Sequence, residues 1–536
     1  MPLEVPRPIP AAKALAWRQE GWWLDVTLPA LLRRRVTESP AAPAIIASDR
    51  TWTFADLDAE SDRVARGLAR LGIGRGDVVS CQLANVPELL ILQHACAKRR
   101  AVFNPIHLVY RAAEVERILS FAGSRMMIVG PPRGDLRPQE MVLALRPRLP
   151  ELREIVVADE GPEPGVIPFA ELPGDGDEGA EAPDPDDPFL LLFTSGTTAS
   201  PKATLHRHNM RLGNARISAE EMGLTDHDRI CSIARFSHLW GLYAHWMALW
   251  VGAAQVLLEH FSPQAFAAVA ARARATVAVG APAHVAALLG WAELRPADLG
   301  SLRLFALSGS VCPPDLARGM RATLGVTPLI CWGMTETGIG LYTRPDDPPE
   351  VIEATVGRAS RGCAVAVLDS QGRGVPTDAD GELAIRSPFA FEGYVNNEAA
   401  TAESFTADGW FLTGDLASTD ASGNVRILGR TREQINRGGV KFHPADVEEV
   451  LCRHRAVAAV VLVGMPDARL GERNCCFLVP RPGPPPTLTD LTAALAEAGI
   501  AKFKWPERLG LVKELPLTPT GKVQRSVLRE RIRRST

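Results

Sequence analysis

Apolar and polar positions repeat with two periods along the first half of the chain. In DLDAESDRVARGLARLG, after TWTF at 51–54, Leu57, Val64, Ala65, Leu68 and Leu71 form an apolar helical stripe that Gly72 can stop. Residues 77–83, DVVSCQL, read as a buried strand, VPELLILQHACAKRRA and AEVERILSFAG as helices, and MMIVG at 126–130 as a further strand. This strand–helix alternation predicts an α/β domain built on a parallel sheet. The pattern resumes with FLLLF after residue 188, ATVAV at 275–279, LRLFALSG at 302–309 and TPLICWG at 327–333.

After about Pro345 the pattern changes. GELAIRS, DGWFLTGDL and GNVRILGR are short strands separated by glycine turns and predict a small β-rich subdomain. A last unit begins at ADVEEVLCRH, 445–454, continues through AVVLVGMPD and LTDLTAALAEAG, and ends in a basic helix, KVQRSVLRERI. The predicted fold class is α/β: a large N-terminal region, residues 1–430, of two α/β subdomains plus the β-rich one, then a small α+β C-terminal domain, residues 431–536. The boundary falls at Arg430 to Arg432.

Two segments depart from these periods. Leu239 to Leu258, LWGLYAHWMALWVGAAQVLL, is 20 residues without formal charge, long enough to cross a bilayer. His245, Gln255 and the small residues Gly252 to Ala254 interrupt it, and its end reads as a strand, so it predicts a buried helix–turn–strand and no membrane span. Glu171 to Pro188 has eight acidic and no basic residues and predicts an exposed linker.

Composition narrows the functional classes. The chain has 536 residues, too many for one small domain, and 46% are apolar, ample for several cores. Lys plus Arg number 59 against 62 for Asp plus Glu, so charge gives no case for nucleic acid as a partner. Nine cysteines without a CxxC, and a start lacking the charged and apolar regions of a secretory signal, predict a reducing cytoplasm.

The strongest local chemistry is LLLFTSGTTASPKATLHRH, Leu190 to His208. A strand runs into Thr194, Ser195, Gly196, Thr197 and Thr198, whose N–H groups and hydroxyls can surround phosphate oxygens while Lys202 counters their charge. The spacing is not that of the common GxxxxGK[ST] loop. Alone, such a loop is more often an ordinary turn. Three further segments change the balance. ICWGMTETG at 330–338 offers Thr335 for a phosphate hydrogen bond and Glu336 for a divalent metal. WFLTGDL at 410–416 ends on Asp415, suited to ribose hydroxyls, and LPLTPTGKVQR at 515–525 presents Lys522 in a loop.

In this order and at these separations, the four segments resemble the adenylate-forming superfamily of acyl-CoA synthetases, nonribosomal adenylation domains and luciferases, and especially acyl-CoA synthetases and standalone aryl-acid AMP ligases. GRTREQINRGGVKFHPADVEEVL at 429–451, NPI at 104–106 and the helix-opening SGS at 308–310 extend the resemblance over roughly residues 20–530. It implies that a carboxylic acid is joined to the α-phosphate of ATP, pyrophosphate leaves, and the acyl group passes from AMP to a thiol. Position by position, it implies that Thr194 to Thr198 and Lys202 grip pyrophosphate, and that Gly309, Ser310 and Trp332 form the adenine slot. It makes Thr335 the α-phosphate contact, Glu336 the Mg²⁺ ligand, Asp415 and Arg430 the ribose binders, and Lys522 the catalytic lysine. The small domain is then mobile about Arg432, Gly438 and Gly439 line the thiol tunnel, and His238 gates the acid pocket from it. The loop reads TTASPKA where the common form is TTGxPKG, a change expected to slow the chemistry or leave it unchanged.

Leu239 follows the gate, where amino-acid-activating relatives often have Asp and dihydroxybenzoate-activating relatives Asn. Leucine leaves an ammonium or hydroxyl unpaired, so the acid is expected to be an apolar aryl, alicyclic or medium-chain one. The cofactors implied are ATP, Mg²⁺ and coenzyme A, with a carrier-protein phosphopantetheine as the alternative acceptor; homodimerisation stays open. A catalytically silent nucleotide-binding relative would lack Lys522, Glu336 or Asp415, and all three are present.

Overall fold

The computed structural model describes residues 3–158, 161–172, 174, 181–194, 202–437, 440–442, 444–467, 470–518 and 522–534. The chain divides into two compact units: residues 1–364 with 386–405, and residues 365–385 with 406–536.

The first unit is α/β. Among its described residues one sheet of nine strands contains six consecutive parallel strands, in the order Thr327–Met334, Leu304–Leu307, Val277–Gly280, Arg229–Ser232, Ala254–Leu257 and Pro43–Ile46. A second sheet, of seven strands, sets Val78–Gln82 parallel to Val102–Pro105 and to Met126–Val129. Their near-continuous burial follows from helices covering the strands, as parallel sheets require.

The predicted amphipathic helix is Phe54–Arg70, burying Leu57, Val64, Ala65 and Leu68. Its start is fixed by a capping box: Thr53 Oγ1 accepts from the Asp56 N–H at 3.0 Å and Asp56 Oδ2 accepts from the Thr53 N–H at 2.9 Å. The apolar run at 239–258 is the helix Leu239–Val251, the cap Gly252 and the strand Ala254–Leu257. Among the described residues no helix is long and apolar enough to cross a membrane.

The acidic stretch at 171–188 departs from its expected exposure at its C-terminal end. Asp187 is buried, and Arg100 donates to it from Nε at 2.6 Å and from Nη2 at 3.1 Å. Strand Pro188–Phe193 lies beside Val102–Pro105, which carries the preceding aspartate to Arg100. Local acidity cannot reveal a partner that the sheet order supplies.

The second unit contains two sheets. A four-stranded one joins Ala364–Leu368, Gly381–Arg386, Phe411–Thr419 and Val425–Arg430. A five-stranded one pairs the long strands Val457–Asp467 and Gly471–Pro480, flanked by helices Pro444–Cys452, Leu488–Glu497 and Arg525–Arg534. Between the two sheets in sequence lies a single 3-10 turn, Thr431–Glu433. The terminal helix, expected to be basic, buries Leu528 and Ile532 against Val461, Val463 and Phe477.

Candidate active site

In open parallel sheets, ligands collect beyond the carboxyl ends of the strands. Several of the residues singled out from sequence lie there. Gly309 and Ser310 follow Leu304–Leu307, Thr335 and Glu336 follow Thr327–Met334, and His238 follows Arg229–Ser232. Ser310 is exposed, and the next helix begins only at Pro314, so SGS ends a strand and does not itself open a helix. Trp332, buried near the end of its strand, faces Leu341 across the ladder, where a bulge follows between Trp332 and Gly333.

Thr335 to Thr337 form the turn between antiparallel strands Thr327–Met334 and Gly338–Tyr342. The turn is closed by the Thr337 N–H on the Met334 carbonyl at 3.2 Å and by Thr337 Oγ1 accepting from the Met334 N–H at 3.3 Å. Gly338 has φ +73, and a Cβ there would sit 2.4 Å from Asn214 Oδ1 and 2.5 Å from Tyr243 Oη. Only glycine lets the turn settle on this buried polar group. The group is itself connected: Tyr243 Oη donates to Asn214 Oδ1 at 2.5 Å, Arg211 Nη1 donates to Tyr243 Oη at 3.1 Å, and the Ile339 N–H donates to Asn214 Oδ1 at 2.8 Å.

Glu336 is buried within this turn, and its Oε1 accepts from Tyr394 Oη at 2.8 Å. The ammonium of Lys202 lies 4.5 Å from the centroid of the Tyr394 ring. The Lys202 carbonyl accepts from the Thr194 N–H at 2.9 Å, next to the pair Phe193–Ala203 of the antiparallel strands Pro188–Phe193 and Ala203–Arg207. Ser195, Gly196, Thr197 and Thr198 lie outside the described residues. Thr194, Lys202, Tyr394 and Glu336 thus form one continuous arrangement, with Thr335 beside Glu336.

His238 caps the helix Leu239–Val251, its Nδ1 accepting from the Trp240 N–H at 3.3 Å. Its ring stacks at 6.3 Å on that of His107, which burial and the nearby Arg235 charge push down to about 4, leaving His107 neutral. Leu239 is buried in the core with Leu242 and Met247, while Trp240 donates from its indole to the Gly280 carbonyl at 2.8 Å.

The second unit holds the remaining candidates. Asp415 and Arg430 face each other on neighbouring antiparallel strands. Arg432 lies in the turn Thr431–Glu433, and Gly438 and Gly439 lie outside the described residues. Lys522 bonds back to Thr518: its carbonyl accepts from the Thr518 N–H at 2.6 Å and its own N–H donates to Thr518 Oγ1 at 3.0 Å.

Two residues that the sequence reading passed over complete the picture. Tyr394 sits in a stretch without periodicity, and nothing local marks it as a partner of Glu336. Arg525 reads as one charge of a basic helix, yet it donates to Glu433 at 3.0 Å and, through both terminal nitrogens, to Glu448 at 2.6 and 2.8 Å. It ties the loop of Lys522 to the turn that carries Arg432.

The chemistry of Glu336 fits a hard cation: a buried carboxylate oriented through one oxygen is the donor type Mg²⁺ takes together with nucleotide phosphates and water.

Comparison with known proteins identifies the family. Residues 32–395 match the AMP-binding enzyme family and residues 446–522 match the AMP-binding enzyme C-terminal domain. The medium-chain fatty-acid–CoA ligase of Escherichia coli (strain K12) is 31% identical, over 97% of this chain and 93% of that protein. The 2,3-dihydroxybenzoate-AMP ligase of Bacillus subtilis (strain 168) is 32% identical, over 98% of this chain and 97% of that protein. Among solved structures, the anthranilate CoA ligase AuaEII in complex with anthranoyl-AMP superposes with a TM-score of 0.88 at 27% identity, covering 96% of this chain and 98% of that one. The chain belongs to the AMP-binding, adenylate-forming enzymes and is an acid–thiol ligase of that family.

Proposed function

We propose that the protein activates an apolar aryl, alicyclic or medium-chain carboxylic acid with ATP and transfers the acyl group to coenzyme A. An oxygen of the acid attacks the α-phosphorus as the bond to pyrophosphate breaks. The thiol then attacks the acyl carbon, loses its proton, and AMP leaves. The observation that carries this reading is the contact of Lys202 and Glu336 with one tyrosine, Tyr394, beside Thr335 at the strand ends.

Two anions must meet in the first step, so fixed positive charge matters more than acid–base chemistry. Lys202 and the hairpin starting at Thr194 would hold the departing pyrophosphate, and Thr335 would orient the α-phosphate. Mg²⁺, held by Glu336 and the nucleotide, would supply further charge screening. Trp332, Gly309 and Ser310 would enclose the adenine, and Asp415 with Arg430 the ribose. Lys522 would act in adenylation. Rotation of residues 431–536 about Arg432 would then admit the thiol past Gly438 and Gly439, with His238 as the gate. All these residues come from one chain, a homodimer would be read from the state in solution, and the reaction is assigned to the cytoplasm.

A leucine at 239, in place of an Asp or Asn, would favour an acid without a second polar group. The similar level of identity to the Bacillus subtilis 2,3-dihydroxybenzoate-AMP ligase supports a second reading, a standalone aryl-acid AMP ligase that loads a carrier protein. Pyrophosphate release from benzoate, cyclohexane carboxylate, medium-chain acids, 2,3-dihydroxybenzoate and amino acids, with and without CoA, separates them. The apolar acids should lead and CoA should be consumed. A preference of more than about tenfold for dihydroxybenzoate or an amino acid would overturn the pocket argument.

A further inference from the structure

Tyr394 is held from several sides before its side chain does anything. Its N–H donates to Thr401 Oγ1 at 2.9 Å, and the next residue, Val395, donates to the Ala203 carbonyl at 2.9 Å, one residue beyond Lys202. Two residues earlier, Glu392 is almost completely buried and accepts from Arg207 Nε at 2.6 Å and Nη2 at 3.1 Å. Gly393 has φ +107, and a Cβ there would lie 2.7 Å from Thr401 Cγ2, so only glycine allows the chain to turn here. The same segment reaches the other side of the site, where the Phe391 N–H donates to the Glu336 carbonyl at 2.7 Å.

From this fixed backbone the phenol meets two groups of opposite charge. Its hydroxyl donates to Glu336 Oε1 at 2.8 Å, and its ring face receives the Lys202 ammonium at 4.5 Å. We propose that Tyr394 is a positioning residue that fixes the Glu336 carboxylate for the divalent metal and Lys202 for the phosphates, setting the two charges in register. This rests on the functional reading above. A carboxylate supported on one oxygen has fewer rotamers to lose when the other meets a cation, and loss of such a support typically weakens metal binding about 10- to 100-fold. A cation over an aromatic face is held more weakly, so the lysine should be the less sensitive partner.

The two contacts can be removed separately. Tyr394→Phe deletes the hydroxyl and keeps the ring; Tyr394→Leu deletes both. Mn²⁺ is the probe, its binding in the presence of ATP and without any acid read by electron paramagnetic resonance. Tyr394→Phe should weaken Mn²⁺ binding by about tenfold, with ATP affinity at saturating Mn²⁺ unchanged. Tyr394→Leu should in addition weaken ATP by about three- to fivefold. In a Glu336→Gln background the hydroxyl deletion should cost almost nothing, because its effect passes through the carboxylate. Mn²⁺ binding by Tyr394→Phe within about twofold of wild type, or an equal loss in the Glu336→Gln background, would overturn the proposal. A wild type that neither exchanges pyrophosphate nor binds Mn²⁺ with ATP would instead overturn the functional reading, and the proposal with it.

Discussion

Arg430 Nε lies 2.6 Å from Asp415 Oδ1, the two residues directly opposite on the strands Phe411–Thr419 and Val425–Arg430. The aspartate side chain is 7% exposed and the arginine 38%, so the carboxylate is the desolvated partner and depends on the guanidinium. Arg430 also donates from Nη1 to the Thr413 carbonyl at 3.2 Å, which fixes the fork. Arg430→Ala should therefore raise the KM for ATP by about tenfold, with a smaller change in kcat. Arg430→Lys should recover only part of it, since the fork is lost while the charge is kept. Pyrophosphate exchange measured against ATP concentration reads both, and an unchanged KM in Arg430→Ala would remove this pair from the ribose site.

Lys522 should matter in one half of the reaction. Lys522→Ala is expected to slow ATP–pyrophosphate exchange by about 100-fold or more, from loss of charge stabilisation in the transition state. Thioester formation from supplied acyl-adenylate should fall much less. Equal losses in both assays would defeat the assignment of separate faces to the two steps.

Gly338→Ala should damage the site from behind. The new methyl would overlap Asn214 Oδ1, Tyr243 Oη and Arg211 Nη1, all within 2.6 Å, in a backbone conformation that alanine disfavours. A loss of about 2 kcal/mol or more in stability is expected. Purified folded variant should also need more Mg²⁺ for half-maximal exchange, because the turn carrying Glu336 must move. Wild-type melting and wild-type magnesium dependence together would contradict the packing argument.

Acid should destabilise the first unit through buried histidines. Burial pushes His208 and His245 down to about 3 and, with Arg235, His107 down to about 4, against an ordinary value of 6.5. The unfolded chain therefore takes up protons first as pH falls. The stability these neutral rings confer is complete above the ordinary value and declines below it toward the folded values, by up to about 1.4 kcal/mol per pH unit for each histidine. The urea midpoint should drop between about pH 7.5 and about pH 5, and His245→Gln should flatten the decline. A midpoint constant over that range would show that these rings do not titrate on unfolding.

The α/β alternation was legible because parallel strands are buried on both faces and their helices on one, which writes distinct periods into the chain. Thr194, Lys202, Thr335, Glu336 and Lys522 stand in short segments whose residue types cluster in sequence, which is why a motif can single them out. Tyr394 and Arg525 were not. Each acts on groups at least 58 residues away, a separation that folding closes and no local pattern records. Asp187 was misread for the same cause, its acidity counted without Arg100. The SGS at 308–310 follows the strand Leu304–Leu307, and the next helix starts only at Pro314, a spacing that three residue types do not encode.

The interleaving of the two units also bears on biosynthesis. The chain passes from one unit to the other three times, after residues 364, 385 and 405. During synthesis the strand Gly381–Arg386 emerges well before its partner Phe411–Thr419, and the segment carrying Tyr394 is made between them. The four-stranded sheet must stay unfinished until Phe411–Thr419 has emerged. A fragment beginning at residue 406 would lack two of that sheet's strands, whereas one beginning at residue 431 would retain every strand of the five-stranded sheet. Both pieces keep the five-stranded sheet whole, but only the later cut leaves no strand of the four-stranded sheet without its partners.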